Sequence, residues 1–359
     1  MATDKIEYNY SRRSSRWKLI LALLIVALVV TIIISLNIGY ANISLSEILD
    51  ILGKQIPFLS GSINSASISP INEAIIFQIR LPRVLAGALV GAGLAAAGVI
   101  YQGIFRNPMA DSYVLGASAG ASVGYTVAVL YVTSALTLIG LGTAQIFAFI
   151  FAVLTVFVVY FISRVGNKVP ISTLLLSGIV VNIFLLSIET LMELRSGQAL
   201  SGIVAWLAGG FSNIVWEDVW GILPFVLIGI ALTYFFTRDL NMLSMGDETA
   251  QHLGVNTEGV RRILLVIGSL ITAACVCISG VIGFVGLIIP HMTRLVIGPD
   301  HRILLPASAI VGAIFLVLCD AVARIATGAS ELPVGVITAL VGTPFFIYLL
   351  RRRKTSYSL

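Results

Sequence analysis

Three histidines, three cysteines and a few charges set inside apolar runs are the residues of this 359-residue sequence that could do chemistry. His252, His291 and His301 do not stand at HExxH or any other metal-ligand spacing. Cys275, Cys277 and Cys319 each lie in an apolar run. Cys-Val-Cys is neither a zinc nor a redox spacing, so these thiols read as small buried hydrophobes. No GxSxG nucleophile elbow is present. Gly53-Lys54 is followed by Gln55 with no glycine five residues earlier, so the chain has no phosphate-binding P-loop. The expectation is a protein with no catalytic residues, no metal site and no cofactor. If its work is active, another subunit must supply the energy.

The elements that carry these residues follow from composition. Hydrophobic residues make up 58% of the chain and charged residues 11%, against roughly a quarter charged in soluble domains. The mean hydropathy is +1.02. This excludes an ordinary soluble enzyme and a disordered chain, and it indicates an all-α polytopic membrane protein. Ten spans are expected, at about 19–36, 84–105, 113–133, 143–163, 172–192, 219–237, 261–279, 281–297, 303–322 and 334–350. They form one membrane domain over 19–350, between a cytoplasmic tail (1–18) and a basic one (351–359). The first apolar run could be a signal peptide, but no small-x-small cleavage site closes it; an uncleaved helix fits better. Only a Ser279-Gly280 turn separates the seventh and eighth spans.

Ten spans with both termini inside place only Lys54, Arg80, Arg83, Arg195 and Arg324 on outer segments, leaving 17 of the 22 Lys and Arg on the inner side. That asymmetry follows the positive-inside rule. It accounts for the net charge of +5 through anionic lipid rather than nucleic acid. Glycines at 87 and 91, at 116, 120 and 124, and at 280, 283 and 286 suit close helix packing. Pro224, Pro290, Pro306 and Pro344 lie in or near spans and favour kinks. Glu189 and Glu193 stand four apart near the outer end of the fifth span. Asp320 stands four before Arg324, a spacing that allows an ion pair. Neither places a charge at mid-membrane, where ion-coupled carriers usually keep their coupling site.

Two stretches are more specific than composition. One runs Arg80-Leu-Pro-Arg83, then Gln102-Gly-Ile-Phe-Arg-Asn-Pro-Met-Ala-Asp111, then Leu115-Gly-Ala-Ser-Ala-Gly-Ala121. The other is Gly283-Phe-Val-Gly-Leu-Ile-Ile-Pro-His291, followed by Asp300-His-Arg302 and Leu305-Pro306. Glu331-Leu-Pro-Val-Gly335 opens the last span. Together they resemble the FecCD family, the permease subunits of bacterial ABC importers for iron–siderophore, haem and vitamin B12. The resemblance covers about residues 15–352. It implies a type II ABC importer permease fold that works as a homodimer or a pseudo-symmetric pair. Cytoplasmic ABC ATPase subunits would sit below it and an extracytoplasmic substrate-binding protein would cap the outside.

The resemblance also implies roles. Arg80, Arg83 and Arg324 would receive acidic side chains of the binding protein, for which the guanidinium fork is suited. Within a cytoplasmic loop of about 238–262, residues 244–254 would form the coupling helix seated in the ATPase, with Ser244, Gly246, Asp247, Glu248, Gln251, Leu253 and Gly254. Ser244-x-x-Asp247 reads as a capping signal. Asn107, Met109, Ile171 and Ser172 would form the cytoplasmic gate, and the fifth and tenth spans would line the pathway. The expected cargo is a metal chelate, a ferric siderophore first, then haem or cobalamin. An ion-coupled secondary transporter and a non-transporting membrane scaffold are the rival readings. Segment 37–79 is assigned no role beyond room for short interfacial helices.

Overall fold

The computed structural model describes residues 2–55, 68–132, 137–138, 140–166, 169–326 and 331–356, with side chains for 15–347 among them except Ser112. Lys168 lies outside the described residues, as do the side chains of Lys5, Arg12, Arg13 and Arg351 to Lys354.

Helices dominate. In chain order they are α1 (Ala2–Asn37), α2 (Leu45–Lys54), α3 (Pro70–Ala74), α4 (Leu81–Phe105), α5 (Ala117–Tyr131), α6 (Thr143–Ser163), α7 (Ile171–Glu193), α8 (Leu200–Leu207), α9 (Trp216–Phe235), α10 (Thr237–Leu243), α11 (Asp247–His252), α12 (Thr257–Ser279), α13 (Val285–Ile297), α14 (His301–Ile325) and α15 (Val334–Ser356). A two-residue antiparallel ribbon, Thr137–Leu138 with Leu141–Gly142, precedes α6. Each of the ten expected spans falls on a helix. Among the described residues, seven helical stretches are long and apolar enough to cross a membrane: those holding α1, α4, α6, α7, α9, α12 and α14. The other three expected spans fall on α5, α13 and the Val334–Ile347 part of α15, which are shorter apolar helical stretches.

The eighth span starts later than expected. After α12, residues 280–284 are non-helical, with Gly280 at φ 66° and Phe284 at φ 70°. α13 is thus only 13 residues long, about 20 Å at 1.5 Å per residue. The tail before the first apolar run is not a separate coil, because α1 is continuous from Ala2.

The second span is longer than expected. Pro70–Phe105 forms one helical stretch of 36 residues, with a π turn at Ile75–Arg80 immediately before Pro82. Pro82 lacks the N–H that would bond residue 78, and its ring crowds that carbonyl; a widened turn lets the helix pass. Segment 37–79 does hold short helices, α2 and α3. Their Ile48, Ile51 and neighbouring Ile68 and Ile76 form a small core with Leu36 and Val317.

α4 is the central element, packed on α14, α12, α13 and α9. Its glycines permit that position. A Cβ on Gly91 would collide with the Gly312 backbone of α14, and one on Gly98 with the Gly286 carbonyl of α13. Such contacts let backbones approach where lipid offers no hydrophobic drive between helices. Gln102, buried beside this seam, donates to the Gly286 and Leu287 carbonyls at 3.2 and 3.0 Å. By contrast α1 and α7 leave most of their apolar surface uncovered.

Candidate functional site

α4 and α14 run antiparallel, so their contacts define two ends. At one end Arg83 meets Asp320; at the other, Gly103 lies beside His301. The expected outer residues gather at the first end and the expected coupling residues at the second.

At the first end the three arginines come together, but as a buried staple. Arg80, Arg83 and Arg324 are 5%, 6% and 5% exposed. Arg80 sits in the π turn and donates to the Leu36 and Ala41 carbonyls, at 2.7 and 2.6 Å. Of these, the Leu36 carbonyl is among the last of α1, where a cation also suits the helix dipole. Arg83 pairs with Asp320, Nε to Oδ1 at 2.9 Å and Nη2 to Oδ1 at 2.9 Å. Its Nη1 holds both oxygens of Glu331 at 2.9 Å. Arg324 reaches Asp320 at 3.2 Å, the pair expected from the four-residue spacing. It also donates to the Ile38 carbonyl and the Ser35 hydroxyl. Ser212 completes the set by donating to Glu331 at 2.9 Å.

In this single chain the guanidinium groups expected to receive the binding protein's acidic side chains are buried among internal partners. Burying a charge is tolerated only when it is paired and hydrogen-bonded, and all three arginines have internal partners. The exposed member is Glu331, whose side chain is 30% accessible. Sequence reasoning missed it because its partner Arg83 lies 248 residues away; the one local signal was its place in the Glu-Leu-Pro motif.

At the second end, α11 is the short helix expected between glycines. Gly246 takes φ 115° and Gly254 φ 88°, conformations that L side chains rarely adopt. The expected cap does not form. The N-cap position is Gly246 with no side-chain bond, while the Ser244 hydroxyl donates backward to the Asn241 carbonyl at 2.6 Å. The preceding helix α10 ends there, so the serine serves that terminus instead.

Asp247 is the anchor of α11. It accepts from Arg261 on α12 at 3.1 and 3.2 Å and pairs with Arg106 at 3.4 Å. Arg261 is also held by Glu258 at 3.2 Å. Gln251 donates to Thr257 at 3.1 Å. Glu248 and Gln251 are exposed, and Met245 and Leu253 present apolar side chains at 66% and 57% exposure. An apolar pair flanking a polar helix turn is a surface a protein cleft can receive.

Arg106 connects this helix to the expected gate. It ends α4 in the left-handed region, at φ 51°, and is followed directly by Asn107. The Asn107 side chain accepts from the Met109 N–H at 3.0 Å, and Met109 is 41% exposed. Ile171 and Ser172 open α7 at the same end: Leu174 shares a cavity with Arg164 and Arg262, beside the start of α12. Ile171 packs against the main core while Ser172 is exposed. A further joint at this end has no counterpart in the sequence reading. Asn241 bonds Asp300, at 2.9 Å, and His301, its carboxamide oxygen accepting the His301 N–H at 2.9 Å, and so ties α10 to α14.

Among the described residues no three His, Cys, Asp or Glu come together as a metal site.

The family model for the FecCD transport family matches residues 27–352. The cobalamin import system permease protein BtuC of Halobacterium salinarum is 45% identical over 79% of this chain and 74% of its own length. The Fe(3+)-citrate import system permease protein YfmD of Bacillus subtilis is 37% identical over 97% and 99%. A solved chain of a metal-chelate type ABC transporter in an inward-facing conformation superposes with a TM-score of 0.77 at 32% identity, covering 93% of this chain and 99% of that one. The chain therefore belongs to the FecCD transport family, with the type II ABC importer fold of a membrane-spanning permease subunit.

Proposed function

We propose that this permease carries a metal chelate across the bacterial cytoplasmic membrane, a ferric siderophore first and haem or cobalamin next. Its ten spans leave both termini in the cytoplasm. ABC ATPase subunits bind beneath it, a substrate-binding protein caps it, and a second copy completes the pathway along α7 and α15. The uncovered apolar surface of α7 supports that pairing.

The observation that carries this reading is the Asp247 tether. One carboxylate joins the exposed helix α11 to Arg106, the residue preceding Asn107 and Met109. A push on α11 by closing nucleotide subunits is thus delivered to the gate loop as a rigid-body displacement. Ser244, Gly246, Glu248, Gln251, Leu253 and Gly254 form the seat; Asn107, Met109, Ile171 and Ser172 form the constriction.

At the outer end docking works by exchange. A carboxylate of the binding protein replaces Glu331 on Arg83, while Arg80 and Arg324 hold the rim in shape. Selectivity resides mainly in the binding protein, since apolar helices offer few chelate ligands.

Reconstituted vesicles test the proposal. Uptake of a ferric siderophore is expected only with ATP and binding protein together. Accumulation by the permease alone, driven by a proton or sodium gradient, would replace this reading with the secondary-transporter one.

A further inference from the structure

A cavity of about 410 Å³ lies between α5 and α7, lined by Tyr113, Ser118, Ser122, Glu189, Thr190 and Glu193 among others. Glu189 is 4% exposed, and its Oε1 is buried with no hydrogen-bond partner. Glu193 stands one turn further along the same face. Ser118 and Ser122 are buried at 6% and 2% exposure. Thr126 continues that face of α5, and its hydroxyl is also buried without a partner. Glu189 lies about 27 Å along α7 from its inner start at 1.5 Å per residue, so the cavity opens near the outer mouth.

A buried carboxylate without a donor is costly, and a second carboxylate beside it adds repulsion. A positive charge bound between them removes both penalties, and hydroxyl oxygens complete its shell. Two carboxylates without a third His, Cys or acidic neighbour do not make a transition-metal site.

We propose that Glu189 and Glu193, with Ser118 and Ser122, form a binding site for a monovalent cationic group at the outer mouth. Two sources share that chemistry: an alkylammonium group on the cargo or a free alkali ion. The inference stands independently of which chelate is carried.

The test is carbodiimide modification of Glu189 in the assembled full-length transporter in nanodiscs, followed by peptide mass spectrometry. Dicyclohexylcarbodiimide reacts with carboxyls in apolar surroundings. Methylammonium or sodium chloride is expected to slow modification about fivefold at four times the dissociation constant, relative to N-methylglucamine chloride of equal ionic strength. Protection by methylammonium alone identifies a cargo ammonium group; protection by sodium identifies a free ion. Glu193→Gln is expected to keep the modification and lose the protection. An equal rate in all three salts overturns the proposal, and so does a Glu189 that never reacts, since that carboxyl would already be paired. Both results are read without transport, so failure of the import reading leaves a separate signature.

Discussion

The two ends of the molecule use the same chemistry in opposite ways. Where α4 begins, Arg83 and Arg324 share Asp320, which is 1% exposed. Where α4 ends, Arg106 and Arg261 share Asp247, whose side chain is 37% exposed. A fully desolvated carboxylate between two guanidinium groups is locked, because losing either partner strands a buried charge. A half-exposed one can trade partners with water at little cost. The Asp320 network therefore holds shape, and the Arg106–Asp247 contact is suited to transmit motion.

The largest expected effect comes from breaking the locked end. Asp320→Ala leaves two buried arginines facing each other and should cost about 3–5 kcal/mol. The loss is measured as thermal unfolding and yield of the detergent-purified permease. The same reasoning turns Arg83→Glu from a clean docking variant into a folding defect. A normally assembled, stable Arg83→Glu transporter would dissolve the contrast between the ends.

Next is the apolar flank of α11. Leu253→Asp together with Met245→Asp puts charges where a cleft must close, and the ATPase subunit is expected to be lost on copurification. Full retention would remove α11 from the interface. Arg106→Ala removes only the half-exposed partner of Asp247 and should change stability by no more than about 1 kcal/mol yet lower uptake per ATP hydrolysed. Unchanged uptake per ATP hydrolysed would mean the tether carries no force. The smallest effect belongs to the outer rim. Glu331→Gln frees half of Arg83's partners at a partly exposed position and should tighten binding-protein affinity about twofold to fivefold, within 1 kcal/mol. Surface-immobilised binding protein reads this directly; weaker binding would argue against exchange.

The helices were readable because hydropathy is a local property. A helix lies on each of the ten apolar segments, and Gly246 and Gly254 flank α11. What escaped depended on distant partners. Arg83 and Asp320 are 237 residues apart, so the sequence shows an arginine at a helix start and not its burial. Ser244-x-x-Asp247 reads as a cap, but two helix ends compete for that hydroxyl, and the Asn241 carbonyl of α10 takes it. The eighth helix begins at Val285 although Val281 and Ile282 are apolar, because the positive-φ backbone of Gly280 and Phe284 delays it.

The π turn ahead of Pro82 acts as a phase setter. One residue advances an α-helix by about 100°, so the extra residue accommodated there dials the azimuth of everything upstream. Deleting a single residue between 75 and 79 would rewind the turn and swing Glu73 away from Lys54, its partner at 3.0 Å. It would also shift the carbonyl of Phe77 away from Trp216, which donates to it at 2.8 Å.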